Sequence, residues 1–328
     1  MTKKKKRTSK GALIRKAKSF CAGLFRYVLI ICLSYLILAP ILINISTAFT
    51  NPRDLSFPSS IWIPARFSIE NWHVSMLMLN YGKALPYTLF FTAIITVLQT
   101  VSAMMAGYSF ARLKFPGRSI LFALSVFTIV VPPQMFMLPQ YLFFKEFDIF
   151  GIFRLITGQP INLLKSGSLF ILNALCMGLK SGLYIYIFRQ SFRALPKVLE
   201  EAAYMDGAGF LRTFTSIVVP SAGAGILTVA VLSFVWNWND SYYIRLFDDT
   251  NINYLMLAFN KATGSVDESL AKISTKIPAT YAFLMKNPVY EGAIAKTAAL
   301  LVFMPLVVLY MFVQRKFVQG VERSGIVG

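Results

Sequence analysis

Histidine is nearly missing from this 328-residue chain, which has only His73, and cysteine is scarce, with Cys21, Cys32 and Cys176 far apart. A catalytic zinc site needs several such ligands and a disulfide framework needs paired, closely spaced cysteines, so both are excluded as organising features. Charge is also thin, at 14% of residues against roughly 25% in an ordinary soluble domain. No GxxxxGK[ST] loop is present, so the chain does not cradle ATP phosphates in that manner. GYSFA at 107–111 lacks the last glycine of a GxSxG elbow and falls at a helix end, which argues against a hydrolase. His73 sits in an expected external loop, where a surface or structural role fits better than catalysis. The three cysteines read as small apolar fillers of membrane helices. No enzyme is expected, and no cofactor in the chain itself.

What is there is apolar. Hydrophobic residues make up 56% and the mean hydropathy is +0.60, which leaves an integral membrane protein. Crossing about 30 Å of hydrocarbon takes roughly 20 residues. Six runs qualify, near 24–47, 84–109, 119–142, 167–189, 214–236 and 292–314. Pro132, Pro133 and Pro139 cut into the third, so a kinked or broken helix is expected there, with its loose carbonyls facing protein or water. The six runs suggest a basic segment over 1–23, a first helix and external loop over 24–83, a core over 84–318 and a tail over 319–328.

The net charge of +19 is explained by position. An even number of spans puts both termini on one side, and the first 26 residues hold ten Lys or Arg. If that side is cytoplasmic, it also receives Arg112, Lys114 and Arg118, then Arg189, Arg193, Lys197 and Arg212, then Arg315, Lys316 and Arg323. The inside then holds 20 basic and 4 acidic residues, the outside 11 and 10. This positive-inside pattern places both termini in the cytoplasm of a multi-pass membrane protein and removes the case for a nucleic-acid partner. KKKKRTSK would also attract anionic lipid headgroups, with GALIRKAKSF as a short interfacial helix. The first apolar run exceeds the 7–15 residues of a signal-peptide core, which favours a retained helix over a cleaved signal.

Lys180, in CMGLKSGLYIYIF, is an intramembrane charge nine residues before Arg189. Such a group is costly unless it pairs, snorkels or faces a cavity. Either it faces water or a solute, or the helix boundary lies elsewhere than the hydropathy suggests. Outside the membrane, the stretches 48–83 and 237–291 are the long connections; the second is long enough to contact a partner.

Between the fourth and fifth runs lies RQSFRALPKVLEEAAYMDGAGFLRTFTSIVVP. Pro196 suits a first helical turn, and Glu200 and Glu201 suit the favourable end of a helix dipole. A helix is expected over 197–205, with a sharp exit at Gly207 and Gly209 and a second helix from Phe210. Glu201-Ala202-Ala203, three residues, Gly207, nine residues, Ile217, then Val219-Pro220 resembles the EAA motif of inner-membrane permease subunits of binding-protein-dependent ABC importers. One departure is Val219 where that pattern has Leu. Over roughly 68–328 the chain is similar to the carbohydrate, maltose-permease-like branch: FSIENW near residue 70, AGYSFARLKFPGR at 106–118, PPQ and LPQY within 132–141, FRQSFRALP, WND at 238–240 and FVQGVERSGIVG at 317–328. Where that branch has Asn-Ser-Leu opening the second span, this chain has Pro86-Tyr87-Thr88-Leu89.

The resemblance implies an all-α membrane protein with six transmembrane helices, the type I ABC importer permease fold, and a cytoplasmic EAA coupling helix. It implies a sister permease, two ATPase subunits that carry ATP and Mg, and an extracytoplasmic binding protein. Glu201 would make charged contacts in the ATPase groove, Ala202 and Ala203 would allow close approach, and Gly207 would make the turn; Asp206, Gly209, Ile217 and Pro220 complete the coupling segment. The solute implied is a sugar or oligosaccharide. Trp236, Asn237 and Trp238 would serve its pathway together with Lys180, although an interfacial aromatic belt accounts equally for the tryptophans. A peptide or glycerophosphate importer is the alternative. A secondary transporter should show inverted halves and intramembrane carboxylates, and the sequence shows neither.

Overall fold

The computed structural model describes residues 4–57, 62–148, 150–248, 253–277 and 286–325. Among them the regular structure is helical, apart from isolated bridges pairing Thr50 with Phe67 and Phe147 with Ile161. Two compact units emerge, one from residues 1–75 and 266–300, the other from 76–265 and 301–328.

In the first unit, helix α1 runs unbroken over Lys4–Phe49. The short interfacial helix expected at GALIRKAKSF is therefore part of one long helix, since no Gly-Pro or Asn-Gly signal interrupts it before the first apolar run. Its large side chains from Phe20 to Ile45 stay exposed, as befits a helix that meets lipid or another chain. Its end is held by FSIENW. Asn71, on α2 (Glu70–Met78), donates from Nδ2 to the carbonyls of Thr47 (3.0 Å), which also takes the Thr50 N–H, and of Thr50 (2.8 Å), at the end of the helix where carbonyls lack intrahelical partners. Phe49 stacks on Phe67, 4.9 Å between centroids. Arg66 grips Asp54 with two bonds of 2.7 and 2.6 Å, which holds that carboxyl below its usual range. His73 is exposed on α2 rather than in a loop.

The second unit is built on α3 (Tyr81–Arg112), which packs against α7 (Ser166–Ala174), α8 (Ser181–Ala194) and α12 (Gly223–Trp238). Lipid tails are as apolar as leucine, so helices in a membrane associate through close packing and polar bonds rather than through exclusion of water. Both appear here. Gly107, in the GYSFA stretch, lets α3 and α8 meet: a Cβ there would lie 2.5 Å from Phe188 Cβ. Gly225 does the same for α12 against Ser191 of α8. Two apolar clusters result. One centres on Phe91, Ile95, Leu172, Tyr243 and Tyr254, the other on Ala103, Tyr108, Tyr184, Phe188 and Val229.

Among the described residues, three helices are long and apolar enough to cross a membrane without interruption, namely Lys18–Phe49, Tyr81–Arg112 and Pro288–Arg315. The third expected span is broken at the prolines, as α4 (Arg118–Val130) and α5 (Gln134–Lys145) meet at 110°. Two further runs depart from the continuous helices expected. The run 214–236 bends by 76° between Phe210–Ser221 and Gly223–Trp238. There α10 (Phe210–Thr213) passes through a π-helical turn at Phe214–Val218 into α11 (Val219–Ser221), where Pro220 cannot donate to the preceding turn. The run 167–189 is two helices, α7 and α8, separated by residues 175–180. The connection 237–291 carries α13 (Tyr242–Asp248), α14 (Leu255–Gly264) and α15 (Val266–Lys272), and α16 covers Pro288–Gly325. The same hydropathy fits a broken helix and a whole one, which is why the runs looked uniform.

Replacing Gly107 by Leu is expected to cost about 1–3 kcal/mol by overpacking the α3–α8 crossing. The same change at Gly223, which has open space around it, is the control. Thermal unfolding of both variants in detergent should show the loss only at Gly107.

Candidate functional site

Two regions of the second unit carry polar chemistry that packing alone does not require. The first surrounds the break between α7 and α8. Cys176 and Lys180 take left-handed backbone angles, φ 58° and 62°, uncommon for residues with side chains. An unwound segment leaves carbonyls unpaired, and away from water each must find a donor. Ser102 Oγ reaches the carbonyl of Asn173 at 2.8 Å, Gln140 Nε2 that of Met177 at 3.0 Å, and Gln99 Nε2 that of Leu179 at 2.7 Å.

Gln99 is fully buried and also accepts at Oε1 from Ser233 Oγ (2.6 Å) and Asn237 Nδ2 (3.0 Å). One side chain thus joins α3, the break and α12. Tyr243 completes a second chain, its hydroxyl donating to Gln140 Oε1 at 3.0 Å. Gln99, Ser102 and Gln140 were missed by sequence reasoning, since single amides in apolar helices carry no spacing signal. The glycines at 178 and 182, four apart in a hydrophobic run, were the available hint.

The break opens onto a cavity of about 230 Å³, lined by Thr128, Phe136, Gln140, Lys180, Tyr243 and neighbouring residues. Lys180 stands at the N-cap position of α8 without a side-chain cap bond and lines the cavity, so the helix boundary lies away from where hydropathy suggests. Its Nζ lies 5.0 Å from the centre of the Trp236 ring, which is 43% exposed. The other two residues expected on the pathway are elsewhere. Trp238 is 1% exposed and donates from Nε1 to the Val302 carbonyl at 3.2 Å, and Asn237 is committed to Gln99 and Ser233. Both serve the packing of α12 rather than an open surface.

The second region is the EAA loop. Its helix, α9, runs over Val198–Met205 and closes with a Schellman turn: Gly207 N–H meets the Tyr204 carbonyl and Ala208 N–H that of Ala203. Gly207 has φ 76° and so needs to be glycine; Gly209 is extended and does not. The two glutamates differ. Glu200 turns inward, pairs with Arg112 Nε at 2.8 Å and accepts from the Tyr108 hydroxyl at 3.1 Å, with the two charged side chains only 13% and 9% exposed. Arg112 also donates to the Leu195 carbonyl at 2.7 Å, just before the helix. Glu201, Ala202 and Asp206 face outward, whereas Ala203 is buried. The small side chain at Ala203 therefore serves contact within this chain, and of the alanine pair only Ala202 lies on the open face. Ile217 lies in the π-helical turn and Pro220 one helix further, so both belong to the bend below α12.

Asp240 of WND is half-buried and caps α13, accepting from the N–H groups of Tyr242 (3.0 Å) and Tyr243 (3.2 Å). Burial outweighs those two bonds and pushes its carboxyl up to about 6. The folded state then binds the proton more tightly than the unfolded chain, so stability falls as pH rises from about 4 to about 6 and stays at the lower level above.

A family model described as "binding-protein-dependent transport system inner membrane component" matches residues 99–323. The chain is 31% identical over 194 residues to the osmoprotective compounds uptake permease protein GgtD of Synechocystis sp., a match covering 59% of this chain and 57% of that one. It is 23% identical to the probable starch degradation products transport system permease protein AmyC of Thermoanaerobacterium thermosulfurigenes, over 89% and 92% of the two chains. It is 26% identical to the melibiose/raffinose/stachyose import permease protein MelC of Bacillus subtilis, over 88% and 91%. Among solved structures, a bacterial ABC transporter involved in the import of the acidic polysaccharide alginate has a chain of like fold, with a TM-score of 0.67 at 16% identity, covering 92% of this chain and 98% of that one.

Two measurements follow from the geometry. Gln99→Leu strands the Leu179 carbonyl and the Ser233 hydroxyl, at about 1–3 kcal/mol for each unsatisfied group; its unfolding temperature in detergent should fall well below that of Ser109→Ala, whose hydroxyl bonds within its own helix. Asp240→Asn keeps the capping oxygen and removes the titration. The wild type should therefore unfold a few degrees higher at pH 5 than at pH 7, and the variant at the same temperature in both.

Proposed function

This chain belongs to the binding-protein-dependent transport system inner membrane component family, and from that membership we propose that it forms, with a sister permease, the membrane pathway of an ATP-driven importer for a sugar or oligosaccharide. The chain is a transport subunit and not an enzyme. Two ATPase subunits supply ATP hydrolysis with Mg on the cytoplasmic side, and an extracytoplasmic binding protein delivers the solute. The excess of Lys and Arg in one set of segments supports cytoplasmic termini.

The observation that carries the coupling role is the division of labour on α9. Glu200, Arg112 and Tyr108 fasten the helix to α3 inside the chain. Glu201, Ala202, Asp206 and the apolar side chains of Val198, Met205 and Leu211 are exposed. A partner that grips the open face moves a helix already bound to the membrane core. ATPase closure then biases a two-state element through differential binding. Relatives named for starch products and for melibiose, raffinose and stachyose support the solute class.

Glu201→Lys should leave membrane insertion and subunit recovery intact and reduce ATP-driven sugar uptake at least tenfold in proteoliposomes containing the whole complex. Uptake at the wild-type rate by a fully assembled variant would remove Glu201 from the coupling contact. Glu200→Lys, by contrast, should lower the unfolding temperature of the chain itself.

A further inference from the structure

The cavity at the break between α7 and α8 has a composition that packing does not explain. Among its described lining residues Lys180 is the charged one, with no carboxylate beside it. Asp240 lines a narrower adjoining hollow, which shares Gly178, Leu179 and Tyr243 with the cavity, and is engaged as the cap of α13. An ammonium withdrawn from bulk water is costly unless it is paired or faces a cavity. Its contact with the Trp236 ring offsets part of that cost and supplies no counter-charge. The balance favours an anion arriving from outside the chain. The backbone at Lys180 and Cys176 is also held in left-handed conformations, which are strained for such residues and gather at ligand sites.

Other features describe the rest of the ligand. The Trp236 ring lies outside the cavity lining with the ammonium over it, so it steadies the charged end of Lys180 where a charged substituent meets it. Gln140 uses one amide N–H on the Met177 carbonyl and keeps the second; the Tyr243 oxygen, which donates to Gln140, keeps its acceptor capacity. At about 230 Å³ the cavity is smaller than the roughly 300–1,000 Å³ of drug-sized pockets, which suits one sugar unit rather than a chain.

We propose that this cavity is a solute subsite for an anionic sugar unit, with Lys180, steadied by Trp236, meeting the charged substituent, and Gln140 and Tyr243 bonding its hydroxyls. The proposal rests on the sugar-importer reading and adds to it the charge of the solute and a binding role for this subunit. The anionic group is a carboxylate, as in a uronic acid, or a phosphate, and both chemistries satisfy the same ammonium.

The test titrates the purified importer complex in detergent with methyl β-glucuronide, methyl β-glucoside and glucose 6-phosphate, reading binding by ligand-observed NMR. The glucuronide should bind at least tenfold tighter than the glucoside. Lys180→Gln should abolish that preference while leaving glucoside affinity within twofold, Lys180→Arg should retain it, and Trp236→Ala, which unseats the ammonium, should reduce it. Tighter, Lys180-dependent binding of the phosphate supports the subsite with phosphate as its anion. A wild-type complex without preference, a preference that survives in Lys180→Gln, or no binding of any probe to a complex that still imports sugar overturns the subsite and leaves the importer reading standing. A complex that imports peptides and no glycan overturns the sugar reading itself, whatever the titration shows.

Discussion

The amide of Gln99 is the constraint on which the second unit turns. A primary amide offers two donors and two acceptor positions in one plane, and Gln99 spends them on two elements besides its own helix: Leu179 and Ser181 at the break, and Ser233 and Asn237 on α12. In a setting without water, an unwound segment persists only where such partners exist. The break at 175–180 therefore depends on Gln99, with Ser102 and Gln140 as its auxiliaries. Along α3 this polar node separates the cluster around Phe91 and Ile95 from the one around Ala103 and Tyr108. The two clusters supply packing, and the node between them fixes how the helices are registered.

That arrangement gives α3 a position at both chemically distinctive regions. Gln99 holds the break that brings Lys180 to the cavity, and Tyr108 and Arg112, within the next four turns, hold Glu200 of the EAA loop. Small residues make this geometry possible where helices cross. Gly107 admits α8 and Gly225 admits Ser191. The ion pair of Arg112 and Glu200 is nearly withdrawn from solvent, a setting in which losing one partner is far more damaging than losing both, because a lone buried charge remains.

Legibility in the sequence followed the range of the interactions concerned. The EAA helix was readable because its determinants are local: Pro196 at the start, two glutamates in the first turn, and Gly207 where only a left-handed residue closes the Schellman turn. The break at Pro132 and Pro133 was readable for the same reason. The break at 175–180 was not, since it contains no proline and its stability comes from Gln99 and Gln140, far away along the chain. Trp236 and Trp238 are two residues apart in sequence, yet one lies half open beside Lys180 and the other is buried against Val302. Their helical separation of about 200° puts them on opposite faces, and the sequence does not say which face the rest of the chain covers.

Composition and short-range pattern by themselves determined that this is a helical membrane protein, that its basic residues are sorted by segment, and that the loop over 196–220 holds a short helix closed at Gly207. These follow from hydropathy, from proline and glycine backbone limits, and from charge placed along one chain, all of which act within a few residues. Tertiary structure alone decided which of two adjacent glutamates is free, that Ala203 packs inward while Ala202 stays open, and that Lys180 faces a cavity instead of a helix interior. Those outcomes depend on which groups meet across helices, and a side chain's partner in a low-dielectric interior is set by geometry that no local pattern encodes.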